Sequence, residues 1–322
     1  NNNYYSSSAG LLFDKNKTEL IKYPAGKSLK NFNIPNGVKS LDGYSFCNCS
    51  NLTSINIPES VTYIGIGAFY LCTNLKSIAI PDSVTKIENI TFTGCSSLTS
   101  ISIPESVTYI GLDAFKDCTS LTSIYIPDSV TLTGLSGTFS GCTSLTNVKL
   151  PDVIYIISTN TFAGCSSLLN IIIPDSVTSI KECAFEGCKS LTNIAIPESV
   201  TKIKTWAFKD CTSLKSIAIN NPDCEISNAK DTIPETAVIY GYKNSTAQTY
   251  AESFNRKFIS LEEIGDISGN GEIDLYDAIE IAKAIMGMRT FTEEEKLIAD
   301  FNKDGTVDLY DAIEIARTLL PK

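Results

Sequence analysis

The 322-residue chain contains no histidine. That removes the side chain best suited to general acid–base work at neutral pH. It also removes Ser-His-Asp and Cys-His arrangements and most catalytic zinc sites. Basic residues are few, 26 Lys and Arg against 36 Asp and Glu, for a net charge of −10. Phosphate binding needs clustered Lys and Arg, so the chain is a poor partner for nucleic acid, and an anionic bilayer offers it no attraction. No apolar run reaches the ~20 residues of a membrane-spanning helix. Although there are 11 cysteines, they lack the paired C-x-x-C spacing of a zinc or disulfide framework. The chain opens Asn1-Asn2-Asn3-Tyr4-Tyr5 with no secretion signal, so a mature or trimmed chain is expected.

What is present is a 43% hydrophobic, 19% charged composition that suits a folded protein, and within it a repeat. Phe recurs at Phe46, Phe69, Phe92, Phe115, Phe139, Phe162, Phe185 and Phe208, with Cys three positions later each time, from Cys49 to Cys211. Pro recurs from Pro35 to Pro197 with the same period. One step is longer than the others by a single residue, which falls around Gly134 and Gly137. In a unit such as Cys95 to Phe115, Leu-x-x-Ile-x-Ile has the inward spacing of a short strand. Pro ends that strand because it cannot donate a ladder hydrogen bond, and Val and Ile begin a second run. No unit can bury its apolar face alone, whereas stacked units can, at a strand spacing of about 4.8 Å. The column cysteines are therefore expected as reduced core thiols. Cys47, Cys183 and Cys224 lie off the column, and Cys47 is expected to be exposed.

This pattern resembles the BspA-like leucine-rich repeats of bacterial surface proteins over residues 10–261. The resemblance implies a leucine-rich-repeat β-solenoid with 23-residue repeats. It divides the chain into an N-terminal cap (1–30), repeats (31–219) and a C-terminal cap (220–261) that reads strand, helix, strand from Thr236 to Leu261. Caps are required because an open end rung exposes apolar surface and unpaired strand groups. The outward strand positions form two columns. One runs Ser54, Ser77, Ser100, Ser123, Asn147, Asn170, Asn193, Ser216; the other runs Asn56, Ala79, Ser102, Tyr125, Lys149, Ile172, Ala195, Ala218. Only Tyr125, Lys149 and Ile172 stand out from small polar neighbours, either as drift on an exposed face or as a protein-contact patch.

The C-terminal stretch differs in kind. Residues 265–322 hold 13 Asp and Glu against 6 Lys and Arg, a net charge of −7, and a small acidic segment asks for a cation. Two 12-residue loops, one starting at Asp266 and the other at Asp300, have oxygen-bearing side chains at positions 1, 3, 5, 9 and 12. In the first these are Asp266, Ser268, Asn270, Asp274 and Asp277, and in the second Asp300, Asn302, Asp304, Asp308 and Asp311. Gly271 and Gly305 fill position 6, where the chain turns sharply, and Glu272 and Thr306 offer backbone carbonyls at position 7. This is EF-hand logic, and it predicts two Ca2+ ions. Ile273 and Val307 are expected to join a small core, so calcium should contribute to folding. Amphipathic helices are expected over Leu275 to Met286 and Leu309 to Leu320, with a short helix capped by Thr292 and Glu295 between them.

Aspartate at position 12 and the loop-then-helix order resemble the duplicated module called dockerin, over residues 265–322 after a short linker, 262–264. The resemblance implies a small all-α calcium-binding domain and a partner, the cohesin module of a scaffoldin. It also implies that Leu275, Tyr276, Ile279, Ala282 and Lys283, and Leu309, Tyr310, Ile313, Ala316 and Arg317, touch that partner. Periodicity alone leaves Ile279 and Ile313 open to a pure core role. The near identity of the two copies implies binding in two orientations related by a half-turn. The expected function is a secreted, non-catalytic component of a cellulosome- or amylosome-like complex of a bacterium, with the solenoid serving protein binding or adhesion. The alternative is an enzyme or carbohydrate-binding component that meets polysaccharide through the solenoid. A calcium sensor that works by opening is disfavoured, because the loops lack paired flanking helices.

Overall fold

A chain that must bury a three-residue strand ended by Pro, then a Val-x-x-Ile pair, then an Ala-Phe pair has to coil so that all three point inward. The computed structural model, which describes residues 2–131 and 135–320, shows such a β-solenoid followed by a small helical region. One side of each rung is the Leu-x-x-Ile-x-Ile strand, as in Ser77–Ala79 and Ser100–Ser102. These strands pair parallel, Ser77 opposite Ser100, and with one more residue between partners across the irregular step, Ser123 opposite Asn147. A second side is made of two-residue strands such as Lys86–Ile87 and Tyr109–Ile110, also parallel. The third side is turns that carry Phe and Cys. Of the two glycines at the irregular step, Gly134 lies outside the described residues, and Gly137 takes a left-handed φ of 64°.

The core is a set of ladders. Rings from Phe69 to Phe208 stack rung on rung with centroids 5.3–5.7 Å apart and planes within 15°. Each such pair adds about 0.5–1.5 kcal/mol beyond its buried area. The eight column cysteines are free and fully buried, as expected. From Cys72 onward the thiols also donate to the carbonyl of a Phe in the rung before, Cys95 Sγ to Phe69 O at 3.3 Å and Cys165 Sγ to Phe139 O at 3.1 Å, whereas Cys49 turns to Tyr23 O. That gives Cys a role Ala could not fill: a small apolar group whose thiol adds a second hydrogen bond to a Phe carbonyl that already accepts the backbone N–H of Cys72 or Cys142 in its own rung. Burial pushes the thiols of Cys95 and Cys142 up to about 12. Cys47 departs from expectation. It is half-buried, with Asn48 Nδ2 donating to its sulfur at 3.3 Å, on a turn whose neighbouring Phe46 and Asn48 N–H groups bond Ala68 and Tyr70 carbonyls of the next rung. Cys183 is half-buried and Cys224 fully buried.

The rod opens with an antiparallel trio, Tyr5–Ser8, Leu11–Asp14 and Glu19–Lys22. At its far end strand Ser216–Ile219 pairs with Val238–Gly241, which pairs with Phe258–Ser260. Helix α1 (Thr246–Ser253) lies between the last two strands, and its first turn is capped by the Ser245 hydroxyl, which accepts from Gln248 N. Beyond it come α2 (Leu275–Ile285), α3 (Glu293–Ala299) and α4 (Leu309–Thr318). Both α2 and α4 are shorter than the sequence pattern suggests. Gly287, at a left-handed φ of 72°, ends the turn after α2. Leu320 precedes Pro321 and is thereby disfavoured as helix.

Candidate functional site: two acidic loops and the helices they start

The two loops are hydrogen-bonded to the same template. In the first, Asp266 accepts from the backbone N–H of Asn270 at 3.0 Å and of Gly271 at 2.7 Å. In the second, Asp300 accepts from Asp304 N at 3.0 Å and Gly305 N at 2.9 Å. Gly271 and Gly305 share a φ of 88°, a backbone region closed to most side chains, so position 6 has to be glycine. Asp277 reaches back across the first loop to Ser268 N at 2.9 Å, and Asp311 to Asn302 N at 3.0 Å. Positions 1, 3, 5 and 12 are thus gathered on one turn in each copy.

Positions 9 and 12 do a second job that the sequence reading missed. Asp274 and Asp308 are the N-caps of α2 and α4, each accepting from a Tyr backbone N–H at 2.7 Å. Asp277 and Asp311 complete capping boxes by accepting from Asp274 N and Asp308 N, both at 2.8 Å. The signal was present as Asp-x-x-Asp just before an apolar helical run.

Among the described residues no group of three or more Cys, Asp or Glu side chains stands close enough to hold a metal by itself. A cation here would need the mixed set of carboxylate, amide, hydroxyl and backbone oxygens that these loops contain. The electrostatics favour one. Asp277, Asp300 and Asp311 are almost fully buried. Burial pushes the Asp300 carboxyl up to about 6, with the Asp311 and Asp304 carboxylates adding to the rise. Asp311 is raised for the same first reason. Asp300 and Asp311, buried near one another with no salt bridge among the described residues, are an unfavourable arrangement that a bound cation would relieve.

Helices α2 and α4 pack against each other over a core of Ile267, Ala278, Ile281, Phe291, Ala312 and Ile315. Ile273 and Val307 lie against it, as expected. Leu275, Tyr276, Leu309 and Tyr310 stay outside, with Tyr276 55% and Tyr310 67% exposed. Ile279 is exposed and Ile313 half-buried, so the two copies differ there. They differ again one turn on. Lys283 bonds Glu280 at 2.7 Å and lies over the Tyr276 ring, whereas Arg317 is exposed. Glu280, which also pairs with Arg289, is held below its ordinary carboxylate pKa first by Lys283 and then by Arg289. Ala282 and Ala316 are half-buried on the same helices.

On the solenoid, Tyr125 and Lys149 are register partners, and Ile172 is 86% exposed one rung on. Lys149 is tied to Asp152 at 2.6 Å, which lessens its value as a free cationic anchor. The outward columns are solvated along much of the rod, but Ser216 and Ala218, expected to face solvent, are each only 4% exposed. The helical region covers them, and sequence periodicity within the rod carries no sign of that cover.

Comparison with known proteins agrees with both halves. A family model described as the BspA type leucine rich repeat region matches residues 23–136 and 133–230 in six copies, and one described as the dockerin type I domain matches residues 264–320. A solved leucine-rich repeat protein from Bacteroides ovatus is 28% identical, with a TM-score of 0.59, over 80% of this chain and 75% of that one. A leucine-rich repeat protein from Eubacterium ventriosum is 31% identical over 58% of this chain and 50% of that one, with a TM-score of 0.49. A search of curated proteins returned no match. Both matched module types are non-catalytic and typical of extracellular or cell-surface proteins. Dockerin type I domains bind calcium and take cohesins as partners, and leucine-rich repeats bind proteins. No helix among the described residues is long and apolar enough to cross a membrane.

Proposed function

The chain belongs to the BspA-type leucine-rich-repeat proteins and ends in a type I dockerin domain, and from that premise we propose that it is a secreted, non-catalytic component of a cellulosome- or amylosome-like complex, attached through calcium-dependent docking to a scaffoldin cohesin. The observation that carries this reading is the duplicated loop-and-helix unit. Two loops with matching hydrogen bonds each start a helix that presents a solvated Leu-Tyr pair.

One Ca2+ is assigned to Asp266, Ser268, Asn270, Glu272, Asp274 and Asp277, and a second to Asp300, Asn302, Asp304, Thr306, Asp308 and Asp311. Glu272 and Thr306 contribute through their carbonyls, and Asp274 and Asp308 act through water, since each already caps a helix. Bound calcium supplies the positive charge these buried carboxylates lack. The loop backbone then holds the helix starts, and with them Leu275, Tyr276, Leu309 and Tyr310, in place for a partner.

The exposed Tyr and Leu side chains give an apolar, aromatic contact of the kind that anchors interfaces. Because the two copies match at these positions, either helix can face the cohesin, in orientations related by a half-turn. Calorimetry with the full chain and a cohesin tests this: Tyr276→Asp alone and Tyr310→Asp alone should each retain binding, and the double variant should lose it. Loss from one substitution would reduce the docking to a single mode. For the solenoid, the proposed contact patch is Tyr125, Lys149 and Ile172; unchanged protein capture after serine replaces all three would remove it.

A further inference from the structure

The two loops are alike in sequence and unlike in surroundings. In the first loop position 4 is Gly269, and a side chain there or at Gly271 would meet nothing within 4 Å. In the second, position 4 is Lys303, held at a left-handed φ of 62°, and its carbonyl accepts the Ser216 hydroxyl at 2.8 Å from 87 residues away. Gly305 lies against the Lys215 side chain, where an added Cβ would come within 2.9 Å. The rod face beneath is unusual for this solenoid. Tyr240 is in register with Ala218, in the column that elsewhere faces water, yet it is 1% exposed. Around it Ala218, Ile259 and Ile264 form a buried cluster joined by Leu297 and Phe301, and Phe301 also packs on the module's own core. Tyr240 and Asp300, position 1 of the second loop, line one cavity together with Lys215, Ser216 and Gly305.

We infer that the last rungs of the solenoid are a binding surface for the second calcium loop, so that calcium uptake at that loop and seating of the module on the rod are coupled, while the first loop binds calcium independently of the rod. This deepens the calcium reading above and rests on it. The physical basis is preorganisation. Ser216, Lys215 and Tyr240 hold residues 300–305 in the folded loop, so less ordering entropy is lost when the ion binds. By linkage the bound ion strengthens the seat by the same factor. Both Leu-Tyr pairs lie away from this interface, so a seated module keeps its docking faces exposed.

The test uses the full chain and Ca2+ itself. Ala218→Arg places a large cation on the covered face. The rung should still fold, because the same column carries Lys149 and Tyr125 elsewhere. Ser216→Ala is the milder companion. With the first loop disabled by Asp266→Ala and Asp277→Ala, titration calorimetry should show second-loop affinity falling about tenfold on adding Ala218→Arg, within the usual range of coupling between sites. With the second loop disabled instead, by Asp304→Ala and Asp311→Ala, Ala218→Arg should leave first-loop affinity unchanged. Small-angle scattering should show the maximum dimension rising when calcium is removed from the wild type, and Ala218→Arg extended even with calcium. Second-loop affinity unaffected by Ala218→Arg, with calcium still bound, overturns the coupling alone. No calcium uptake by the wild type overturns the calcium reading and the coupling together.

Discussion

The rod and the module behind it bury side chains by opposite means. The rod sets one apolar list, Leu, Ile, Val, Phe and Cys, against copies of itself, so an inward group meets an identical or similar group one rung away, Phe on Phe or Ile124 on Val148. The module has a small apolar core around Ile281 and Ile315 and buries Asp277, Asp300 and Asp311 beside it. Repetition makes the rod's stability a sum of similar neighbour terms that need nothing from outside. The module has little core to carry buried carboxylates, and under the proposed calcium reading its fold is tied to a solute. On that reading one chain holds a permanent scaffold and a conditional connector.

The largest expected break in that contrast is calcium removal. Each of the two proposed ions, held a thousandfold above its dissociation constant, stabilises by about 4 kcal/mol, and together they exceed the effect of a single core substitution. Excess EDTA should therefore loosen or unfold residues 265–320 and leave the rod folded, as read by amide exchange in the two regions. Equal protection of α2 and α4 with and without EDTA would erase the distinction. Next in size is Phe115→Ala in the middle of the ring ladder, which should cost the rod about 3–5 kcal/mol by denaturant titration and leave the calcium isotherm unchanged. Smallest is a pH effect confined to the rod. Burial raises the Cys142 thiol from 9 to about 12. The folded state therefore keeps a proton that the unfolded state loses, so this contribution is whole below pH 9 and declines as pH rises through 9 towards 12. Cys142→Ala should flatten the fall in stability above pH 9 by about 1.4 kcal/mol per pH unit. An unchanged slope would mean the thiol ionises as freely folded as unfolded.

Much of this was legible in residue spacing. The regular step from Phe to Phe placed the Phe and Cys columns inside, and Asp266, Gly271 and Asp277 announced a loop that the backbone then built. Cys47 escapes such a reading because its column is mixed, Tyr70, Lys116 and Glu186, and suggests exposure, whereas the packing of the next rung sets it. Ser216 and Ala218 escape it for a related reason. Their columns are outward in rung after rung, and nothing local reveals that a segment far later in the chain, around Lys303, lies over them.

By itself the sequence determined the rung, the ladders and both loops, because each follows from side chains a few positions apart repeated at a fixed step. Only the tertiary structure decided which outward residues lose their water, why thiols answer Phe carbonyls, and which of two near-identical loops leans on the rod. Those outcomes depend on surfaces that meet across long stretches of chain, and a local pattern of residues holds no record of such meetings.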